Sequence, residues 1–403
     1  MRLLFVADGR SPIALNWMRY LIEQGMEIHL ITTFACDPIE GLASLDQLPV
    51  AFSGAAKPAP KGEARPAGGA RAIKLRAAVR HWAGPLTIPA AASRLRMLCD
   101  RISPDLVHAM RVPYEGMLAA AADPSAPLLI SIWGNDFTLH APASPLMRIW
   151  TKAALIRADA LQTDCRRDVH LAEEWGFDAS RPCLVVPGNG GIRPDVFRPG
   201  PVDEVPGSHV AGVIASIDSS APVIVNPRGF RAYVRSDTFF EAIPEILAEH
   251  PNAVFLCPAM AGEAEAQLWV QRVGAESAVK LLPQLSPLEM AQVYRRAMIT
   301  LSISEHDGTP NTLLEAMACG CVPIAGDLVS IREWIEDGVN GHLVDPGDPS
   351  ALAKTVCALI GDDERRAAAN AYNQRLIQDR ASQPTVMKDV LRFYSHVTSS
   401  KAG

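Results

Sequence analysis

The sequence has no Cys-x-x-Cys pair: its eight cysteines stand at 36, 99, 165, 183, 257, 319, 321 and 357. That spacing fits neither a zinc site nor a disulfide framework, so reduced thiols in the cytoplasm are expected. No long apolar run opens the chain. Asp8 interrupts the run from Leu3 to Ala7 before a signal h-region or a spanning helix could be completed. Positive charge is not in surplus, with 38 Lys+Arg against 44 Asp+Glu and a net charge of -6. With no zinc-finger or RNP pattern either, nucleic acid is not an expected partner. The Gly-x-Gly-x-x-Gly of dinucleotide binders is also missing.

What is present is a chain of 403 residues, 48% hydrophobic and 20% charged, long enough for two cores and too apolar to be disordered. Short apolar runs alternate with amphipathic stretches, the pattern of parallel α/β layers. Strands are predicted at 2–7, 27–32, 105–109, 127–132, 160–164 and 183–187, then at 222–226, 252–257, 279–283, 299–304, 322–325 and 342–345. Helices fill the intervals, among them 12–24, 113–122, 144–157, 166–176, 236–249, 262–273, 286–296, 310–319 and 349–361. The fold class is therefore α/β, two tandem Rossmann-like doubly wound domains, with ligands expected outside the carboxyl ends of the strands in a cleft that the domains face. Residues 1–199 form the first domain, and 200–221, rich in Pro, Gly, Ser and acidic residues, form a linker. The second domain covers 222–380, and a final helix in 381–403 packs back on the first.

The most informative segment is Ser302-Ile303-Ser304-Glu305-His306-Asp307-Gly308-Thr309-Pro310-Asn311-Thr312-Leu313-Leu314-Glu315-Ala316-Met317-Ala318-Cys319-Gly320. A strand ends near Ser304, and a helix is expected to start with Thr309 as N-cap and Pro310 at N1 and to stop at Gly320. The free amides of Asn311 and Thr312 then offer a phosphate site. Glu315 lies in a helix that is apolar almost all round. Its carboxylate reads either as half of a structural salt bridge to an arginine or as an acceptor of ribose hydroxyls.

The spacing Asp307-x7-Glu315 followed by Ala-Met-Ala-Cys-Gly resembles the Glu-x7-Glu signature of glycosyltransferase family 4, retaining nucleotide-sugar transferases with the GT-B fold. Val186-Pro187-Gly188-Asn189-Gly190-Gly191-Ile192 with Phe197-Arg198-Pro199 is similar to the family's exit from its first domain. Glu333-Trp334-Ile335-Glu336-Asp337-Gly338-Val339-Asn340-Gly341-His342-Leu343-Val344 is similar to a later segment. The resemblance implies that Asp307, one methylene shorter than the family's Glu, holds donor-sugar hydroxyls beside the flexible Gly308, and that Glu315 holds the ribose. It implies that Arg228 and Arg235, with Arg231 an alternative to the latter, neutralise the diphosphate that leaves. Gly9, in the turn after the first strand, would let the backbone approach the diphosphate.

Asp136, in the turn Trp133-Gly134-Asn135-Asp136, is either a contact to acceptor or sugar or a turn-stabilising carboxylate. Trp133 stands where many family members carry His. His108 is either an acceptor-side residue or a satisfied core histidine. Residues 57–80 hold seven Lys+Arg against one Glu. That stretch reads either as a solvated loop running into a basic helix or as a surface for anionic lipid or a lipid-linked acceptor. The resemblance as a whole implies a cytoplasmic retaining glycosyltransferase, possible at the inner membrane face, that uses a nucleotide-sugar co-substrate with neither metal nor cofactor. Its acceptor would be a cell-envelope glycan or lipid-linked saccharide. A sugar-nucleotide epimerase on the same fold and a non-catalytic sugar-nucleotide-binding module are the alternatives.

Overall fold

The computed structural model describes residues 1–53, 78–202, 208–231 and 233–400. The chain folds as two compact units, one of Met1–Gly191 with Val386–Gly403 and one of Ile192–Thr385.

The first unit contains β1 (Arg2–Ala7), β2 (Glu27–Thr32), β3 (Ser44–Gln47), β4 (Leu106–Met110), β5 (Leu128–Ile132), β6 (Ala160–Thr163) and β7 (Cys183–Val185). They form one sheet in the order β3-β2-β1-β4-β5-β6-β7, and every pairing is parallel. Parallel neighbours need crossover connections, which bury both faces of the sheet and explain the unbroken apolar runs of β1, β4 and β5. On one face, Trp17, Met18 and Leu21 of the helix Pro12–Glu23 pack with Leu3 and Phe5. Val386, Val390 and Tyr394 of the last helix, Gln383–Ser400, join that cluster. On the other face, the helices Ile88–Ile102 and Pro145–Arg157 cover Leu4, Val6, Val107 and Ile130.

The second unit holds β8 (Val223–Val225), β9 (Val254–Cys257), β10 (Val279–Leu281), β11 (Ile299–Ser302), β12 (Val322–Gly326) and β13 (His342–Val344). Their order is β10-β9-β8-β11-β12-β13, again all parallel. In each unit the order reverses beside the first strand, between β1 and β4 and between β8 and β11. These switch points are where open α/β sheets bind ligands.

Three expectations need correction. The edge strand β3 reads Ser-Leu-Asp-Gln with alternating exposure, too polar and short to stand out as a strand. The helix Ile88–Ile102 is missing from the expected helices, although Ile88, Ala91, Ala92, Leu95, Cys99 and Ile102 are buried at helical spacing. The unit boundary falls at Gly191/Ile192 rather than near 200. The expected linker includes the helix His209–Ala215, and Ile192, Val196, Phe197, Val210, Ile214 and Ile217 are buried in the second unit's core. Of the basic stretch 57–80, residues 57–77 lie outside the described residues. Among the described residues, no helix is long and apolar enough to cross a membrane.

Candidate functional site

The second unit builds its site at the β8/β11 switch point. After β8, Asn226 accepts the backbone N–H of Arg228 at 3.4 Å, and Gly229 turns the chain at φ +61°. The loop then runs antiparallel to the segment after β11. Arg235 N donates to Ile303 O at 3.0 Å, Glu305 N donates to Tyr233 O at 3.0 Å, and Val234 bridges Ser304. This zipper joins Arg228 to Asp307: the buried guanidinium donates through Nη2 to Asp307 Oδ2 in an ion pair and through Nη1 to Thr312 Oγ1 at 3.3 Å. Ser304 Oγ donates to the same carboxylate oxygen at 3.2 Å. Arg228 Nε is buried with no partner, as is Asn311 Oδ1.

The helix Asn311–Cys319 begins one residue later than expected. Pro310, not Thr309, occupies the N-cap position, and no side chain caps the first turn. Thr309 is buried and accepts the Trp334 indole N–H at 2.9 Å. Asn311 and Thr312 therefore supply first-turn amides to an uncapped, electropositive helix end, beside the buried bend at Gly308. Gly320 ends the helix at φ +99°.

Glu315, one turn further on, is half-buried and makes no hydrogen bond or ion pair among the described residues. Burial pushes its carboxyl up to about 7, opposed by Arg193. Arg193, which the sequence did not single out, is thus the nearby cation, and its Nε is buried without a partner. Arg235 needs correction as a diphosphate ligand. Its guanidinium is bonded to Asp237 at 2.8 Å and to Glu305 at 2.8 Å, and both carboxylates hold its proton more firmly. Arg235 thus lies between two carboxylates on a partly exposed loop, whereas Arg228 has one and is buried.

The residues assigned to the first domain do not join one another as a site. His108 is fully buried in a hydrogen-bonded chain. The Trp17 indole donates to Tyr394 Oη at 2.8 Å, and the Tyr394 hydroxyl meets His108 Nδ1 at 2.7 Å. His108 Nε2 meets Ser131 Oγ at 2.8 Å, and that hydroxyl donates to Gln162 Oε1 at 2.7 Å. Burial lowers the imidazole to about 3. His108 is a satisfied core histidine and not an acceptor ligand. Asp136 is buried too, accepting from Arg111 at 3.1 Å, Val112 N at 3.0 Å and Trp133 N at 3.3 Å, so it organises the turn. Gly9 donates its amide to Thr32 Oγ1 at 3.0 Å, and a Cβ there would meet Cys36 Sγ at 2.5 Å. Close packing, with the amide already engaged, accounts for that glycine.

The segment 333–344 acts as a buttress. Asn340 is fully buried, accepts from Glu336 N at 2.8 Å and donates to Trp334 O at 2.9 Å, which fixes the indole that holds Thr309. Ser330 Oγ donates to the carbonyl of Asp307 at 2.7 Å. Gly326 closes the arrangement, since a Cβ there would meet Ser304 O at 2.5 Å and Pro346 Cγ at 2.9 Å. Gly326→Ala should therefore shift the Ser304–Asp307 turn and lower stability by about 1–3 kcal/mol. Urea denaturation checks this, and an unchanged midpoint would show that Ser304 and Pro346 give way without cost.

Two groups of described residues have metal-ligand atoms within 4.8 Å of one another, Glu249, His250 and Cys357, and Asp164, Cys165 and Asp168. In the second group Arg167 sits on Asp168 at 2.7 Å and burial raises the Cys165 thiol, both unfavourable to a cation.

Each unit is thus an open, doubly wound α/β sheet with all strands parallel, and the second carries an arginine–carboxylate pair at an uncapped helix end. Residues 9–188 match the family described as "Glycosyl transferase 4-like domain" and residues 221–362 match "Glycosyl transferases group 1". The chain belongs to the family-4 type of glycosyltransferase with the GT-B fold. It is 27% identical over 233 residues to a D-inositol 3-phosphate glycosyltransferase of Xylanimonas cellulosilytica, covering 56% of this chain and 55% of that one. The chain thus spans about half the length of that curated relative. In structure it is similar to sucrose-phosphate synthase from Thermosynechococcus elongatus, with a TM-score of 0.76, 15% identity, and 99% of this chain and 100% of that one covered. It is similar also to Anabaena HepE in complex with UDP-glucose, with a TM-score of 0.73, 15% identity, and 98% and 100% covered.

Proposed function

We propose that this chain is a retaining glycosyltransferase that moves a sugar from a nucleoside-diphosphate sugar to a glycan or lipid-linked saccharide acceptor of the cell envelope. The observation that carries the reading is the convergence of Arg228, Asp307 and Thr312 on the uncapped end of the helix Asn311–Cys319. As the bond from the anomeric carbon to the phosphate oxygen breaks, negative charge grows on the diphosphate. Arg228 and the amides of Asn311 and Thr312 are fixed where they stabilise it without reorganising. Asp307 orients hydroxyls of the sugar, and Glu315 accepts those of the ribose. The acceptor oxygen attacks from the face the diphosphate leaves, and a departing phosphate oxygen takes its proton, so no side-chain base is required. No resident metal or cofactor is part of this reading. A peripheral contact with anionic membrane through residues 57–80 belongs to it as well.

The structural neighbour seen with UDP-glucose supports the donor class, and the relative named for D-inositol 3-phosphate adds a phosphorylated polyol to the acceptors to be tried. A thermal-shift panel of nucleotide sugars tests the donor. A true donor at 100 times its dissociation constant stabilises by about 2.7 kcal/mol. Incubation with that donor and candidate acceptors should then yield a glycoside with retained anomeric configuration. Recovery of an epimerised sugar with no transfer would replace this reading with the epimerase.

A further inference from the structure

Two helices of the second unit meet where a thiol, an imidazole and a carboxylate converge. The helix Ser236–Glu249 ends at Glu249, and His250 follows as its C-cap. The His250 backbone N–H donates to Ile246 O at 2.8 Å and its carbonyl accepts from Ala253 N at 3.0 Å, so the residue is fixed in place. Cys357 comes from the helix Pro349–Ile360, whose Ala353 and Val356 share a core with Ile243 and Ile246. A carboxylate oxygen of Glu249, a ring nitrogen of His250 and Cys357 Sγ all lie within 4.8 Å of one another. His250 Nε2 stands 3.8 Å from Glu249 Oε1. Two ligands at ~2.0–2.3 Å from one tetrahedral ion are about 3.4–3.6 Å apart, so a small movement closes the three atoms on a cation.

The surroundings favour an ion as well. His250 Nε2 is buried without a hydrogen-bond partner, an orphaned ring nitrogen beside a thiol and a carboxylate. Among the described residues, neither arginine nor lysine pairs with Glu249, whereas Arg167 already sits on Asp168 in the other group of ligand-type residues. Cys357 is buried and Glu249 is exposed, which leaves a path from solvent to the sulfur. Glu245, one turn before Glu249, acts electrostatically on the same thiol, and Ser350 Oγ donates to its Oε1 at 3.5 Å. A set of sulfur, nitrogen and oxygen ligands suits Zn²⁺, since calcium and magnesium take oxygen ligands. The thiolate and the carboxylate carry two negative charges, which a divalent ion cancels.

We propose that Cys357, His250 and Glu249 bind Zn²⁺ at the surface of the second unit, with water completing a tetrahedral shell. The ion staples the end of the helix Ser236–Glu249 to the helix Pro349–Ile360. On binding, the thiol proton leaves to solvent and a Zn–S bond takes its place, while the imidazole nitrogen and a carboxylate oxygen each donate a lone pair. Arg235 stands at the opposite end of the 14-residue helix, about 20 Å along its axis. The ion therefore takes no part in sugar transfer, and the site stands independently of the transferase reading.

Cobalt(II) is the probe, because it replaces zinc in such sites and gives a thiolate-to-metal charge-transfer band in the near ultraviolet. Titration of the full chain after chelator treatment and dialysis should produce that band, and Zn²⁺, the tighter binder, should abolish it by displacement. Cys357→Ser should lose the band, and His250→Gln should weaken cobalt binding at least about tenfold. Zn²⁺ should also raise the urea midpoint of wild type, as any ligand of the native state must, and raise that of His250→Gln far less at the same concentration. Cys357 lies in the core, so the urea transition of its variant is measured first. If that variant is unfolded, Glu249→Gln, at an exposed position, takes its place with the same tenfold expectation. No band in wild type, a band that persists in Cys357→Ser, unweakened binding in His250→Gln or in the replacement variant, or a wild-type midpoint that Zn²⁺ does not raise overturns the proposal.

Discussion

Arg228→Ala should lower turnover by about 10²- to 10³-fold, the loss expected when one fixed donor to a developing oxyanion is removed. The same change strips Asp307 of its ion-pair partner in a site where the carboxylate side chain is only 13% exposed. Stability should therefore fall by up to about 3 kcal/mol, because a charge kept from water has lost its counterion. Arg228→Lys separates the two effects. It restores a cation near Asp307, so stability should largely return, but a single ammonium cannot reach both Asp307 and Thr312 as the planar fork does, and turnover should stay low. Asp307→Asn completes the set. Nucleotide affinity should remain while turnover falls by ~10- to 100-fold, equivalent to about 1.4–2.7 kcal/mol. Steady-state kinetics with isothermal nucleotide binding decide the matter. Full turnover in Arg228→Lys, or a loss of nucleotide affinity in Asp307→Asn, would contradict the roles given to this pair.

Glu315→Gln should move stability and binding in opposite directions. In the unfolded chain this carboxyl ionises in the usual range near 4.3, whereas burial in the folded chain raises it to about 7. Between those values the folded chain keeps a proton that the unfolded chain has lost, so stability falls as pH rises through that window and is level above it. The cost above pH 7 is on the order of 3 kcal/mol. A neutral amide escapes it, so the variant should equal wild type near pH 4 and exceed it at pH 8, as read by urea midpoints at the two pH values. Donor affinity at pH 8 should fall by about 1.5–3 kcal/mol, the worth of a charge-assisted hydrogen bond to ribose. A variant that binds donor normally would refute the ribose contact. One that is destabilised at pH 8 would show that the carboxylate supports the fold, through Arg193 or otherwise.

Much of the architecture was legible because it is written in local signals. All six strands of the second unit lie where short apolar runs placed them, since a parallel strand covered on both faces must be apolar along its length. Helix starts at Pro12, Pro287 and Pro349 follow Ser11, Ser286 and Asp348, whose side chains cap the first turns. The carboxylate motif was legible by its spacing. Edge strand β3 and the helix Ile88–Ile102 were not, the first because an edge strand needs no apolar run, the second because the small Ala91, Ala92 and Cys99 give its buried face little apolar contrast.

Side-chain partnership came from the three-dimensional arrangement. Arg228 and Arg235 look equivalent in a basic loop, yet the antiparallel zipper between 233–235 and 303–305 sends one to Asp307 and leaves the other between Asp237 and Glu305. His108 could have faced a ligand, but the last helix brings Tyr394 across 286 residues of sequence to satisfy it. Fold class and the position of the carboxylate motif could be read from the chain directly, because periodicity and spacing are properties of neighbours along it, whereas the family entered through the resemblance of its motifs. Which cation stays open to a ligand depends on which carboxylates the sheet order brings within about 3 Å of it, a distance at which pairing outweighs any intrinsic preference of the residue, and no local pattern records that.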